Sequence, residues 1–284
     1  MATWRESAED PRGTDELIRV ALAERDLSDE ELRSATAALV ALQFRPTREV
    51  LHRACDLCRS AGVDERRLGV RVLGELRDLA DPAAALPAFV DESMEVLLAL
   101  AATEQDTDVL IEVARAFGYR HDPRAVAPLL AWRGHEEPSI RFFVACSLRR
   151  CSTQENQAQV VDALIELTGD DDGAVRDYAL FGLRELEVDS AEVRDAMLRR
   201  VRDPDDSAAG EALVGLARLG DERAVAPLIE LLQHPDSHPI IAYGLDAATA
   251  LADPRLLPAL RAIEQRLGDR PDVSQAIKAC ADGR

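Results

Sequence analysis

Two nine-residue stretches, DPRAVAPLL (Asp122–Leu130) and DERAVAPLI (Asp221–Ile229), agree at seven positions and begin 99 residues apart. Degraded copies start at Asp81 (DPAAALPAF) and Asp253 (DPRLLPAL), each with a Pro five or six residues after its Asp: Pro87, Pro128, Pro227 and Pro258. A unit restated at a fixed spacing cannot bury its apolar face alone. It has to stack on its neighbours, and that requirement excludes most globular folds.

Each copy opens an amphipathic stretch, a short turn and a second amphipathic stretch. The second stretches align with one another: ERRLGVRVLGEL (Glu65–Leu76), IRFFVACSLRRC (Ile140–Cys151), VRDYALFGLREL (Val175–Leu186) and AAGEALVGLARL (Ala208–Leu219). Taking the second residue of each as its zero puts zeros at Leu32, Arg66, Leu110, Arg141, Arg176, Ala209 and Ile241, on average about 35 residues apart. Two helices per period predict an all-α fold, an α-solenoid of about eight helix pairs (an α/α superhelix). The predicted pairs are 14–25 with 29–43, 46–60 with 64–77, 83–101 with 105–118, and 122–133 with 137–150. They continue as 154–168 with 171–187, 189–201 with 204–219, 221–233 with 237–251, and 253–267 with 271–281. Residues 1–13 are expected to be a disordered lead-in, and 14–284 a single solenoid domain. Composition agrees: 47% of residues are hydrophobic but only 4% aromatic, so Leu, Ala and Val must fill the core.

Within a copy, Asp122 and Asp221 are predicted helix N-caps and Pro123 a first helical residue. Pro128 and Pro227 fall one turn later, where the missing N–H is expected to kink each outer helix.

The sequence resembles HEAT repeats, in the short variety of phycobilisome-lyase-type proteins. The resemblance rests on DDDGAVRDYALFGLREL (Asp170–Leu186) and DPDDSAAGEALVGLARLGDERAVAPL (Asp203–Leu228), and covers about residues 29–267. It implies a protein-binding scaffold whose second helices line a concave face. It also implies a structural ladder between the Asp before an inner helix and the Arg inside it, which Asp170 and Arg176 fit and Ala209 interrupts.

A helical wheel gives the second helices a buried stripe at offsets −1, +3, +6, +7 and +10, and turns +1, +5 and +8 outward. The outward set contains Arg115, Phe142, Arg149, Phe181 and Arg184, along with Gly74, Gly118, Gly210, Val214 and Ala217. Phe143, Tyr178 and Tyr243 at +2 and Tyr119 at +9 lie on the flank, where packing against the next repeat competes with exposure. Phe142 and Phe181 are read either as anchors for a partner or as contacts between repeats. With Arg115, Arg149, Arg184, Tyr119, Phe143 and Tyr178 they make the candidate partner-binding face, since aromatic and Arg side chains dominate protein-recognition hot spots.

No catalytic residue and no cofactor is expected. His52, Cys55 and Cys58 form H-x-x-C-x-x-C on one outer helix, but steps of three and six residues suit a tetrahedral zinc site poorly. The acidic turns Gly169–Gly173 and Arg202–Ser207 lack EF-hand spacing and are read as caps, and the five His form no triad. A net charge of −19 opposes nucleic-acid binding and suggests a protein or peptide partner with a basic surface. All but one of the 34 basic residues are Arg, a skew of GC-rich bacterial genomes. No signal peptide or membrane span is read, which places the chain in the cytoplasm. The leading function is therefore a non-catalytic interaction scaffold. A small-molecule-handling alternative is implied by the resemblance, which includes bilin lyases; Arg115 or Arg149 would pair the pigment's carboxylates. A HEAT-like DNA repair glycosylase is a third class, opposed by the charge.

Overall fold

A computed structural model describes residues 10–23, 29–78, 86–233, 238–268 and 270–283, and leaves aside the side chains of residues 29–33 and 238–240. The described chain forms sixteen α-helices. They are α1 (Thr14–Leu22), α2 (Asp29–Gln43), α3 (Arg48–Cys58), α4 (Val63–Glu75), α5 (Val90–Ala101), α6 (Thr107–Arg120), α7 (Val126–Trp132) and α8 (Pro138–Arg150). Then come α9 (Gln157–Leu167), α10 (Gly173–Glu185), α11 (Ala191–Leu198), α12 (Asp206–Arg218), α13 (Val225–Gln233), α14 (His238–Leu251), α15 (Leu257–Leu267) and α16 (Pro271–Asp282).

The chain divides into two compact units, Met1–Asn156 and Gln157–Arg284. In the first, inner helices α2, α4, α6 and α8 stack side by side, and outer helices α1, α3, α5 and α7 each lie on their own partner. The second unit repeats this plan, with α10, α12, α14 and α16 inside and α9, α11, α13 and α15 outside. The core is Leu, Val and Ala, and Phe117 is the one aromatic among the largest fully buried side chains.

The repeated D-x-R motif has a local cause. Asp122, Asp221 and Asp253 each accept from the backbone N–H two residues on, at 2.8–3.1 Å, and so cap a 3-10 turn. The Arg at that second position folds back onto the same carboxylate at 2.6 Å: Arg124, Arg223 and Arg255. Each also reaches an acid of the preceding repeat, Asp91, Asp195 and Glu222 respectively. The guanidinium holds Asp221 well down, to about 2, with burial opposing it. Asp10–Pro11–Arg12 makes the same clasp, and Arg45 donates to the carbonyls of Asp10 and Arg12. The expected lead-in is therefore held in place over residues 10–13, while residues 1–9 lie outside the described ones.

Three expectations are corrected. The repeated Pro does not kink a helix. A 3-10 turn precedes α7 and α13, so Pro128 and Pro227 are third residues of their α-helices, where no intrahelical N–H bond is needed. Of the helix predicted over 83–101, residues 83–85 lie outside the described ones, 86–89 are not helical, and the helix runs from Val90. Backbone bonds Asp78 N–H to Leu86 and Ala88 N–H to Leu76 hold residues 86–88 extended, and Phe89 then takes φ 49°. Arg120, 2% exposed, fixes this joint by donating to the carbonyls of Gly74, Leu76 and Ala88. Finally, Gly74, Gly118, Gly210, Val214 and Ala217 are buried, not outward-facing. The +8 side of one inner helix meets the +6 side of the next: a Cβ on Gly74 would lie 2.7 Å from that of Ala116, and one on Gly118 2.5 Å from Ser147 Oγ.

Candidate functional site

The inner helices carry the residues that the sequence singles out, in two groups. In the first unit, Tyr119 on α6 is half-buried beneath two guanidinium groups, Arg115 at 5.7 Å and Arg150 at 5.9 Å from its ring centroid. Arg115 is committed to Glu112 at 2.7 Å and reaches Glu75 at 3.6 Å, so its charge is matched within the unit. On α8, Phe142 and Phe143 are half-buried and meet edge to face at 5.0 Å, and Arg149 is half-buried one turn beyond Cys146.

In the second unit, Tyr178 and Phe181 on α10 pack edge to face at 6.2 Å, and the Arg184 guanidinium covers the Phe181 ring at 4.9 Å. Tyr178 is 38% exposed, the most open aromatic ring among the described residues, whereas Phe181 is half-buried. The more open ring thus belongs to the flank residue Tyr178, and Phe181, read as either an anchor or a contact between repeats, is the half-buried one. Tyr243 does fill between repeats, lying where a Cβ on Gly210 would go. Arg184 is also displaced from its expected outward position: its side chain is only 11% exposed and its Nε sits 2.9 Å from Glu211 Oε2. The two atoms are close but poorly aligned, and neither makes a hydrogen bond.

Around that pair lies a cluster the sequence reading did not find. Glu211 on α12 is 5% exposed, and Asp177 on α10 is half-buried. Burial pushes Glu211 up to about 7, with Asp177 adding to the rise and Arg184, Tyr243 and Arg218 opposing it. Burial also pushes Asp177 up to about 6, reinforced by Asp205. The Tyr243 hydroxyl is raised by the same burial and the same two carboxylates. One signal was available: Glu211 is a lone acid in the otherwise small, apolar run Ala208–Leu216.

A second set of Arg residues is structural. At the zero position, Arg66 donates to the carbonyls of Ser60 and Ala61, Arg141 to those of His135 and Glu136, and Arg176 to those of Asp170 and Asp171. Arg66 then pairs with Glu104 at 2.7 Å and Arg176 with Asp203 at 2.6 Å, each acid lying six residues before the next zero. The expected ladder thus exists, and its rung runs from Arg176 forward to Asp203; what Asp170 gives Arg176 is its carbonyl. Asp172 and Asp205 cap α10 and α12, as expected for the acidic turns.

The H-x-x-C-x-x-C residues part company. His52 is exposed, while Cys55 and Cys58 face the core and burial pushes the Cys58 thiol up to about 12. Cys151 donates to the Phe117 carbonyl and is buried, and Cys146 is half-exposed. Among the described residues no group of three or more His, Cys, Asp or Glu could hold a metal ion, and no helix is long and apolar enough to cross a membrane.

Known proteins place this architecture. A family model for HEAT repeats matches residues 94–183 and 161–245. No curated protein matches the chain by sequence. Among solved structures, YibA of Escherichia coli is 20% identical with a TM-score of 0.76, over 98% of this chain and 97% of that one. An engineered protein is 18% identical with a TM-score of 0.56, over 94% of this chain and 78% of that one. A chain from the structure of Kap95p with RanGDP is 16% identical with a TM-score of 0.66, over 99% of this chain but 41% of that one. At these identities the likeness concerns the fold, a helical-repeat solenoid. The two family matches together span residues 94–245, more than half of the 284 residues, and the chain belongs to the HEAT-repeat family.

Proposed function

We propose that the protein is a non-catalytic interaction scaffold that binds a protein or peptide on its inner-helix face. The observation that carries this reading is Tyr178, an exposed aromatic ring on an inner helix, backed by Phe181 and by a guanidinium stacked on that ring. Such a group offers a large, nearly rigid contact area at low entropic cost. Phe142 and Phe143 with Arg149, and Tyr119 with Arg115, give the first unit a group of the same composition. The net charge of −19 favours a partner with a basic surface. Kap95p, whose binding to RanGDP names the structure this fold resembles, is an instance of a helical-repeat chain serving as a protein binder.

The test is affinity capture with the full chain and with the double substitution Tyr178→Ala, Phe181→Ala. The expected result is loss of the captured partner with a melting temperature within a few degrees of the parent. Undiminished capture by the double variant would remove this face from the account.

A further inference from the structure

We infer that Asp177 and Glu211 form a proton-binding site in the α10–α12–α14 interface, so that the packing of the second unit tightens when the proton is bound and loosens when it leaves. The geometry argues for it directly. A buried carboxyl, Glu211, and a half-buried one, Asp177, act on one guanidinium, that of Arg184, and its Nε is misaligned for a hydrogen bond with Glu211 Oε2. An interface in that state carries one uncompensated negative charge, and binding a proton removes it at less cost than burying it.

Among the described residues the other cation acting on Glu211 is Arg218, and its charge is shared with further acids. From α10, Glu185 adds a further negative charge and holds Arg184 at 3.5 Å and Arg218 at 3.7 Å. From α12 itself, Arg218 is drawn away by Glu185 and by Asp246, and Asp205 is a like charge acting on Asp177. From α14, Tyr243 can donate its hydroxyl to Glu211, and Asp246 is acidic. From α11, Arg194 is bound to Asp189 and Asp221, and Asp195 is paired with Arg223 of the adjoining 3-10 turn. The upward displacement of Glu211 to about 7 and of Asp177 to about 6 agrees with this balance.

The sign follows from linkage. Both carboxyls bind protons more tightly in the folded chain than in the unfolded one. Their contribution to stability is therefore complete below the unfolded carboxylate range and is lost as pH rises through about 6 to 7. Acids held low by Arg, such as Asp203 and Asp221, act in the opposite sense but below the ordinary carboxylate range, outside this window. His121, in the first unit, is held below its usual range by burial and gains stability with rising pH; it is common to all variants and cancels in their differences. Asp177 lies one turn before Phe181, so the same proton sets the charge beside the docking face proposed above. That consequence rests on that reading, whereas the experiment below does not.

The full chain is unfolded in urea at closely spaced pH values from 5.5 to 8, with hydrogen exchange of the α12 amides as a local readout. Relative to Glu211→Gln, which mimics the protonated acid, the wild-type unfolding constant should rise by roughly ten- to thirtyfold across this range. Protection of α12 should fall in parallel in the wild type alone. Asp177→Arg, which supplies the missing positive charge, should flatten the profile in the same way and serves if Glu211→Gln does not fold. A pH slope identical in wild type and the folded variants would overturn the proposal.

Discussion

Glu112 on α6 and Glu211 on α12 occupy the same place in the repeat, two residues past the zero and 99 residues apart. Both lie at an interface between inner helices, yet their surroundings are opposite. Glu112 is held by Arg115 at 2.7 Å, with Arg71 of the preceding inner helix at 3.9 Å. Glu211 meets Asp177 from its preceding inner helix and faces the misaligned Arg184, with Arg218 acting on it as well. The repeat thus fixes where a side chain goes, and the neighbouring copy decides what it does there. The two cations that hold Glu112, Arg71 in α4 and Arg115 in α6, both stand at +5, where α10 and α12 carry Phe181 and Val214, and Asp177 adds a second acid at +1 in α10.

The comparison can be tested in descending order of effect. Arg176→Ala should be the most damaging change, costing about 3–5 kcal/mol, because it takes the nearest cation from the fully buried Asp203 carboxylate, leaves it the longer Arg200 contact, and frees two carbonyls. Arg66→Ala, whose side chain and partner are 16% and 6% exposed, should cost less in the same urea titration. Gly118→Ala comes next. Its Cβ would meet Ser147 Oγ at 2.5 Å and push α6 from α8, at roughly 1–3 kcal/mol by thermal denaturation. At pH 8 the two equivalent acids should then part in sign. Glu211→Gln should stabilise by about 1–2 kcal/mol, through relief of an ionised buried acid. Glu112→Gln should destabilise by up to about 1 kcal/mol, since its pairs are partly exposed and screened. Equal signs would break the comparison. Smallest of all, Pro128→Ala should change the unfolding free energy by no more than about 0.5 kcal/mol in thermal denaturation, because that position has no N–H bond to lose.

The helix count and pairing were legible because apolar spacing and turn residues repeat with a fixed phase, and each copy corroborates the others. Asp122, Asp172 and Asp205 as caps could be read from their place before an apolar run. The role of Pro128 could not, since nothing in the letters separates a continuous helix from a 3-10 turn that hands over to one. The D-x-R clasp at Asp10–Arg12 carried its signal in plain view and was hidden by an acidic, polar context. The site residues were harder for a geometric reason. A wheel treats each helix as facing solvent or core, but an inner helix also packs against inner neighbours, as α6 does against α4 and α8, and α10 against α12. Gly118 and Ala217 are therefore buried, Arg184 is drawn inward to Glu211, and Tyr178 rather than Phe181 remains open.

The most direct measurement is a carboxyl carbon NMR titration of the full chain with labelled Glu, with the Glu211 resonance assigned by its loss in Glu211→Gln. The account predicts a midpoint near 7 for Glu211, moving down when Asp177→Arg is introduced. A Glu211 midpoint in the ordinary carboxylate range, unmoved by Asp177→Arg, would contradict it.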